Sequence, residues 1–229
     1  MHKAQSQWRP AKKLKTAELW RHPEGHKFIK FTDTPLRPNE IPHPKEINGK
    51  DHEGINFVTN MLMNVGGKKE TVWAKEAGSD FDHQGLKRFE QEFRESNHPY
   101  LRNMHQAIIL RQLRRAGFYA PEPLGILYPK GKERPFLIVR NLEGEKRENI
   151  SPRFMQNFLA ELSHAGFFPM DVDNPGNVRI IKLKSLDPEK QFGMIGAEGK
   201  PITLGIIDAS VFGPTDLKRM KKYIEGNKK

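Results

Sequence analysis

The stretch "GFFPMDVDNPGNVRI", residues 166–180, sets the problem that the rest of the chain has to answer. Two aspartates and an asparagine, Asp171, Asp173 and Asn177, stand in a polar loop between two apolar runs. Asp-Asn-Pro-Gly is by composition a turn, because Asn and Asp bond to their own backbone, Pro fixes φ and Gly tolerates positive φ. Turn chemistry alone accounts for the loop, so its meaning depends on what flanks it.

Immediately upstream, "SPRFMQNFLAELSHAG" opens with a Ser-Pro pair suited to a first helical turn, carries Phe154, Phe158 and Leu162 at helical spacing and stops at Gly166. Downstream, "NVRIIKL" reads as a strand. After a polar insertion, "PITLGIIDASVFG" reads as a second apolar strand that ends in Asp208.

Working outward, "INFVTNMLMNV", Gly66-Gly67 and "KKETVWAKEAG" read as strand, tight turn and strand, with Lys75 near the end of the second strand and Trp73 in the core. Residues 84–97 place Leu86, Phe89 and Phe93 at helical spacing. Residues 100–116 repeat the pattern at Leu101, Ile108, Ile109 and Leu113, and Gly117 closes that helix. "PEPLGILYP" and "RPFLIVRNLEG" follow as further strands.

Residues 1–48 are polar, basic and dotted with proline, and they read as an extended arm. A net charge of +11 points to phosphate-rich or acidic partners. The absence of cysteine excludes disulfides, thiolate nucleophiles and cysteine-ligated metals. No apolar run has the length of a membrane helix, and the N-terminus lacks the apolar core of a secretory signal. His98, His105 and His164 are scattered without metal-ligand spacing, and His164 reads as a structural residue at a helix end.

A lysine on an early strand, an Asp…Asn loop after a helix and an aspartate ending a later strand, in that order, are the parts that phosphoryl transfer from ATP requires. With "VWAK", "HAGFFPMDVDNPGN" and "LGIIDAS" in place, residues 50–215 resemble the protein-kinase superfamily. The resemblance implies an α+β, bilobal protein-kinase-like fold, with a small β-rich N-lobe over 49–143 and a reduced helical C-lobe over 144–229.

It also implies roles. Lys75 would meet the α/β phosphates, while Asn177 and Asp208 would hold Mg2+ or Mn2+. Asp171 is the favoured catalytic base and Asp173 its competitor, since the family's spacing to the asparagine falls between the two. Gly49 and Gly54 stand where a glycine-rich loop would, without the G-x-G-x-x-G pattern. Gln106 takes the place of the helix glutamate that pairs with the lysine, with Glu90, Glu92 and Glu95 as substitutes. Arg140 and Leu142, in the hinge-like "FLIVRNLEG", complete the nucleotide contacts.

Pro169 and Met170 replace the His-Arg that precedes the family's aspartate, so control by a phosphorylated activation loop is not expected. Ala209-Ser210 replace Phe-Gly of the D-F-G motif. The residues after Asp208 are too few for a full activation segment, which makes the chain similar to the small effector kinases that some bacteria deliver into host cells.

The expectation is therefore a minimal atypical protein Ser/Thr kinase using ATP and magnesium, with a protein substrate and an activating partner. It would be cytoplasmic, or delivered into a host cell without a cleaved signal. The alternatives are a pseudokinase or other nucleotide-binding interaction protein, and a small-molecule kinase of aminoglycoside-phosphotransferase type, which "LRRAGFYAPEPLG" resembles. A nucleic-acid module is disfavoured, because few aromatics interleave with the basic residues.

Overall fold

The computed structural model describes residues 7–31, 33–47, 57–76, 101–131, 135–146, 150–167, 172, 175–184, 193–195 and 198–208. Two compact units share the chain. One comprises Met1–Ala107, Pro123–Asn141 and Pro214–Lys229, the other Ile108–Glu122 and Leu142–Gly213. The class is mixed α+β, with antiparallel sheets and few helices among the described residues.

The first unit holds a seven-stranded sheet. Its strands are β1 (Arg9–Lys13), β2 (Ala17–Arg21), β3 (Lys27–Phe31), β4 (Phe57–Val65), β5 (Lys68–Glu76), β6 (Pro123–Tyr128) and β7 (Phe136–Arg140). Their order is β1-β2-β3-β6-β7-β5-β4, and every neighbouring pair is antiparallel. The hairpin expected around Gly66-Gly67 is present, with both glycines at positive φ.

β6 and β7 are central, and consecutive residues in them are buried, including Leu124, Ile126, Leu127, Leu137 and Ile138. A strand buried on both faces reads as a continuous apolar run rather than an alternating one, and both strands have that sequence. On one face Leu124, Leu127 and Ile138 join Phe28, Met63, Val65, Val72 and Ala74, covered by Leu36, Ile41 and Ile47 from the segment after β3.

Residues 9–31, expected as an arm, thus supply three strands, and Trp8 and Trp20 belong to the core. The apolar residues of this segment are sparse but large, and each is placed by pairing that the local composition does not show. β1 itself is exposed throughout and carries Pro10, a register shift after it, and Lys12 and Lys13, all of which discourage further strand addition at a sheet edge.

Two contacts fasten this N-terminal part. Gly125 of β6 lies under Phe28, and a Cβ there would meet the Phe28 ring and stand 2.7 Å from the Ile29 carbonyl oxygen. Glu40, only 6% exposed, accepts from the backbone N–H of Gly67 at 2.6 Å, of Gly66 at 3.2 Å and of Arg37 at 2.7 Å. One buried carboxylate therefore ties the β4–β5 turn to the covering segment, and its charge is met by three donors.

In the second unit β8 (Glu145–Lys146), β9 (Val178–Lys182), β10 (Gly193–Ile195) and β11 (Pro201–Ile206) form a four-stranded antiparallel sheet in the order β10-β11-β9-β8. The part of the chain expected to be mostly helical thus carries a sheet of its own, because the polar insertion contains β10 and pairs back onto β11. Helix α1 (Leu101–Arg115) passes from the first unit's sequence into the second's and ends at Gly117, φ +88°.

Helix α2 (Pro152–His164) forms as its sequence requires. Ser151 Oγ accepts from the Phe154 N–H at 3.2 Å, Pro152 occupies the first turn and Gly166 takes φ +85° after the last. Its buried face carries Phe154, Met155, Phe158 and Leu162, and Phe118 meets Phe158 and Phe167 edge-on with ring centres 6.0 and 5.8 Å apart. The expected helix over 84–97 lies outside the described residues.

Two substitutions test these fastenings by urea unfolding. Gly125→Ala should lose about 1–3 kcal/mol, the usual cost of overpacking. Glu40→Ala should lose about 2 kcal/mol through the donors it strands. Stability unchanged in both would mean that the N-terminal strands are not held as described.

Candidate functional site

The candidate site in the second unit is built by the β9–β11 ladder. Val178 pairs with Ile206, and the Ile207 N–H donates to the Asn177 carbonyl at 3.0 Å, so pairing runs one residue past the strands' ends. Asn177 closes a short 3-10 turn, Pro175–Asn177, just before β9, and Asp208 follows Ile207 directly. Asn177 thereby lies across the ladder from Ile207, and Asp208, the next residue along, stands at the same end of the ladder; both are half-buried.

Leu142, expected among the nucleotide contacts, packs against β11 here. A Cβ on Gly205 would lie 2.7 Å from Leu142 Cδ2 and 3.0 Å from Ile181 Cγ1, so β11 is bare where Leu142 rests on it. The Ile206 N–H also donates to the Tyr119 carbonyl at 2.9 Å, which gives β11 a second backbone partner beside β9.

In the first unit Lys75 pairs with Leu137 of β7, so the lysine strand and the hinge-like strand are direct neighbours. Alternation puts Lys75 with Trp73 on the face opposite Val72 and Ala74. Trp73 is only half-buried, and its Nε1–H donates to Asn141 Oδ1 at 2.8 Å, so it is a partly exposed residue on the face opposite the Val72–Ala74 core and not part of that core. Arg140 Nε lies 2.7 Å from Glu70 Oε2, which engages its guanidinium across the same pair of strands. Gln106 is buried in α1, as are Asn103 and His105; Asn103 Nδ2–H donates to the Pro135 carbonyl at 2.8 Å. Asp171, Asp173, Gly49 and Gly54 lie outside the described residues, as do Glu90, Glu92, Glu95 and His98.

A cluster that the sequence reading passed over stands elsewhere in the first unit. His22, Glu24, His26 and His43 each offer a ligand atom, and these atoms lie within 4.8 Å of one another. His22, Glu24 and His26 sit in the β2–β3 turn "HPEGH", where the Gly25 N–H donates to the His22 carbonyl at 2.8 Å and Gly25 takes φ +89°. Pro after the first turn residue and glycine at the left-handed position are what such a three-residue hairpin loop requires. His26 Nε2 and His43 Nε2 reach the same oxygen, Glu24 Oε2, at 3.3 and 3.1 Å.

Burial holds the His22 imidazole below its ordinary pKa, helped by the nearby His43 and His26 and opposed by Glu24. Hydrogen bonding from His43, then from His26, and the Lys45 charge hold the Glu24 carboxyl below its ordinary value against a smaller opposing effect of burial. The alternating H-x-E-x-H pattern was visible in the sequence, but His43 joins it only through the fold.

No helix among the described residues is long and apolar enough to cross a membrane. Comparisons with protein families, with curated proteins and with solved structures found no match.

Gly205→Val tests the ladder. A branched side chain pressed against Leu142 and Ile181 should cost about 1–3 kcal/mol in urea unfolding. An unaltered midpoint would show that β11 is not packed as described.

Proposed function

We propose that the chain is an ATP- and magnesium-dependent phosphotransferase, a minimal protein Ser/Thr kinase that moves the γ-phosphoryl group of ATP to a protein hydroxyl. The observation that supports this reading is that the β9–β11 ladder brings Asn177 and Asp208 to the same end of one strand pair. An amide oxygen and a carboxylate are hard oxygen donors of the kind magnesium selects, and half-exposed positions leave room for the waters it retains. The neighbouring Lys75 and hinge-like strands support the reading from the first unit, since the resemblance places a phosphate-binding lysine and a hinge on paired strands.

The roles follow from charge. Asn177 and Asp208 would hold the ion, which when bound neutralises charge that builds on the phosphates. Lys75 would hold the α/β phosphates as a compact cation. Asp171 or Asp173 would take the proton of the attacking hydroxyl as the new P–O bond forms and ADP departs. Gln106 would contribute an amide where the resemblance expects a carboxylate to offset the Lys75 charge, and this and the missing G-x-G-x-x-G pattern favour the nucleotide-binding alternative without transfer.

A surface of net charge +11 suits an acidic protein substrate. ATP supply places the reaction in a cytoplasm, the cell's own or a host's.

Transfer of label from γ-labelled ATP to lysate proteins, with magnesium, tests the proposal. Wild-type labelling should fall by roughly 100-fold or more in Asp208→Asn and in Lys75→Ala. Equal labelling by wild type and Asp208→Asn would overturn the reading. Nucleotide-dependent thermal stabilisation with no transfer would favour the binding protein instead.

A further inference from the structure

We propose that His22, Glu24, His26 and His43 form a structural site for a divalent transition-metal ion of the zinc class, which staples the β2–β3 turn to the segment that covers the sheet. Three imidazoles and one carboxylate converge with ligand atoms within 4.8 Å of one another. A tetrahedral ion with bonds of about 2.0–2.2 Å holds its donors roughly 3.4 Å apart, so closure needs side-chain movements of about an ångström. Imidazole with carboxylate suits zinc, cobalt or nickel rather than magnesium or calcium.

In the metal-free chain the rings are gathered by ring contacts and by amide donors. His22 is buried against Trp8, with ring centres 5.2 Å apart, and lies 5.2 Å from His43 and 5.7 Å from His26. His26 and His43 are 5.1 Å apart. The Lys130 N–H fixes His26 by donating to Nδ1 at 2.9 Å, and the Lys45 N–H does the same for His43 at 3.2 Å. The Glu24 N–H donates to His22 Nδ1, also at 3.2 Å.

These amides set the proton balance. Without an ion each neutral ring that accepts at Nδ1 keeps its proton on Nε2, and two of those protons point at Glu24 Oε2. An ion at the centre takes the Nε2 lone pairs, the ring protons move to Nδ1, and the three amide contacts are given up. Losing these contacts opposes binding, and the coordination free energy of a closed zinc site is large enough to exceed that cost.

Four protein ligands close the coordination shell, which is the mark of a structural rather than a catalytic site. The ligands come from the hairpin turn and from His43, which precedes the 3-10 turn Pro44–Glu46, so the ion would add coordination bonds between two segments that side-chain packing, ring contacts and hydrogen bonds already connect. This inference is independent of phosphoryl transfer.

The test is titration of Zn2+ into the chelator-treated full chain, followed by calorimetry and thermal unfolding, with Co2+ as a spectroscopic probe. One Zn2+ should bind per chain and raise the unfolding midpoint. Affinity should fall at least about 100-fold in His26→Ala and His43→Ala, and stay unchanged in His164→Ala, whose ring is exposed on α2. Co2+ bound to the wild type should show the intense visible bands of a tetrahedral site, a readout that does not depend on the variants folding. Absence of stoichiometric Zn2+ binding, octahedral Co2+ bands, or binding unaffected by both histidine changes would overturn the proposal.

Discussion

Burial of β6 and β7 on both faces is the constraint to which the first unit answers. Strands made of Pro123–Tyr128 and Phe136–Arg140, with almost every side chain out of water, need a partner on each edge and cover above and below. An unpaired β6 edge would expose a row of backbone donors and acceptors beside an apolar strand, a template for aggregation. β3 fills that edge, and Leu36, Ile41 and Ile47 roof one face. The basic N-terminal segment is therefore structural: Trp20 and Phe28 join the core, and Glu18 and Lys30, next along the same face, pair with each other at 3.6 Å.

Much of this was legible in the sequence where a single element carries its own signal. The Gly66-Gly67 hairpin, the Ser151-Pro152 start of α2, the Gly117 and Gly166 helix stops and the apolar runs of β6, β7, β9 and β11 are all local, and all are present. β1, β2 and β3 were not legible, because five-residue strands rich in Lys and Arg look like solvated chain until their pairing is known. Trp73 was misplaced for a related reason. Strand alternation gives two faces but does not say which of them is the more deeply covered, and here Trp73 stays half-buried while Asn141 takes its indole N–H.

The candidate sites divide in the same way. The order of Lys75, Asn177 and Asp208 could be read directly, whereas the register that brings Asn177 and Asp208 to one ladder end is a property of the β9–β11 pairing. The histidine cluster shows the converse. Its H-x-E-x-H half is local and was visible, but nothing in the sequence ties His43 to that turn until the covering segment folds back over the sheet. Both candidate sites would draw their ligands from residues whose backbone a turn or a ladder end has already placed, which would lower the ordering cost of binding.

The central claim concerns Asn177 and Asp208 as a joint oxygen site for a nucleotide-bound cation, and Mn2+ in place of Mg2+ makes it directly visible. Electron paramagnetic resonance of Mn2+ titrated into the Zn2+-saturated chain, with and without a non-hydrolysable ATP analogue, measures the nucleotide-dependent ion. The account predicts nucleotide-dependent Mn2+ binding in the wild type that is lost in Asp208→Asn and weakened in Asn177→Ala. Mn2+ binding that needs no nucleotide, or that both substitutions leave unchanged, would contradict it.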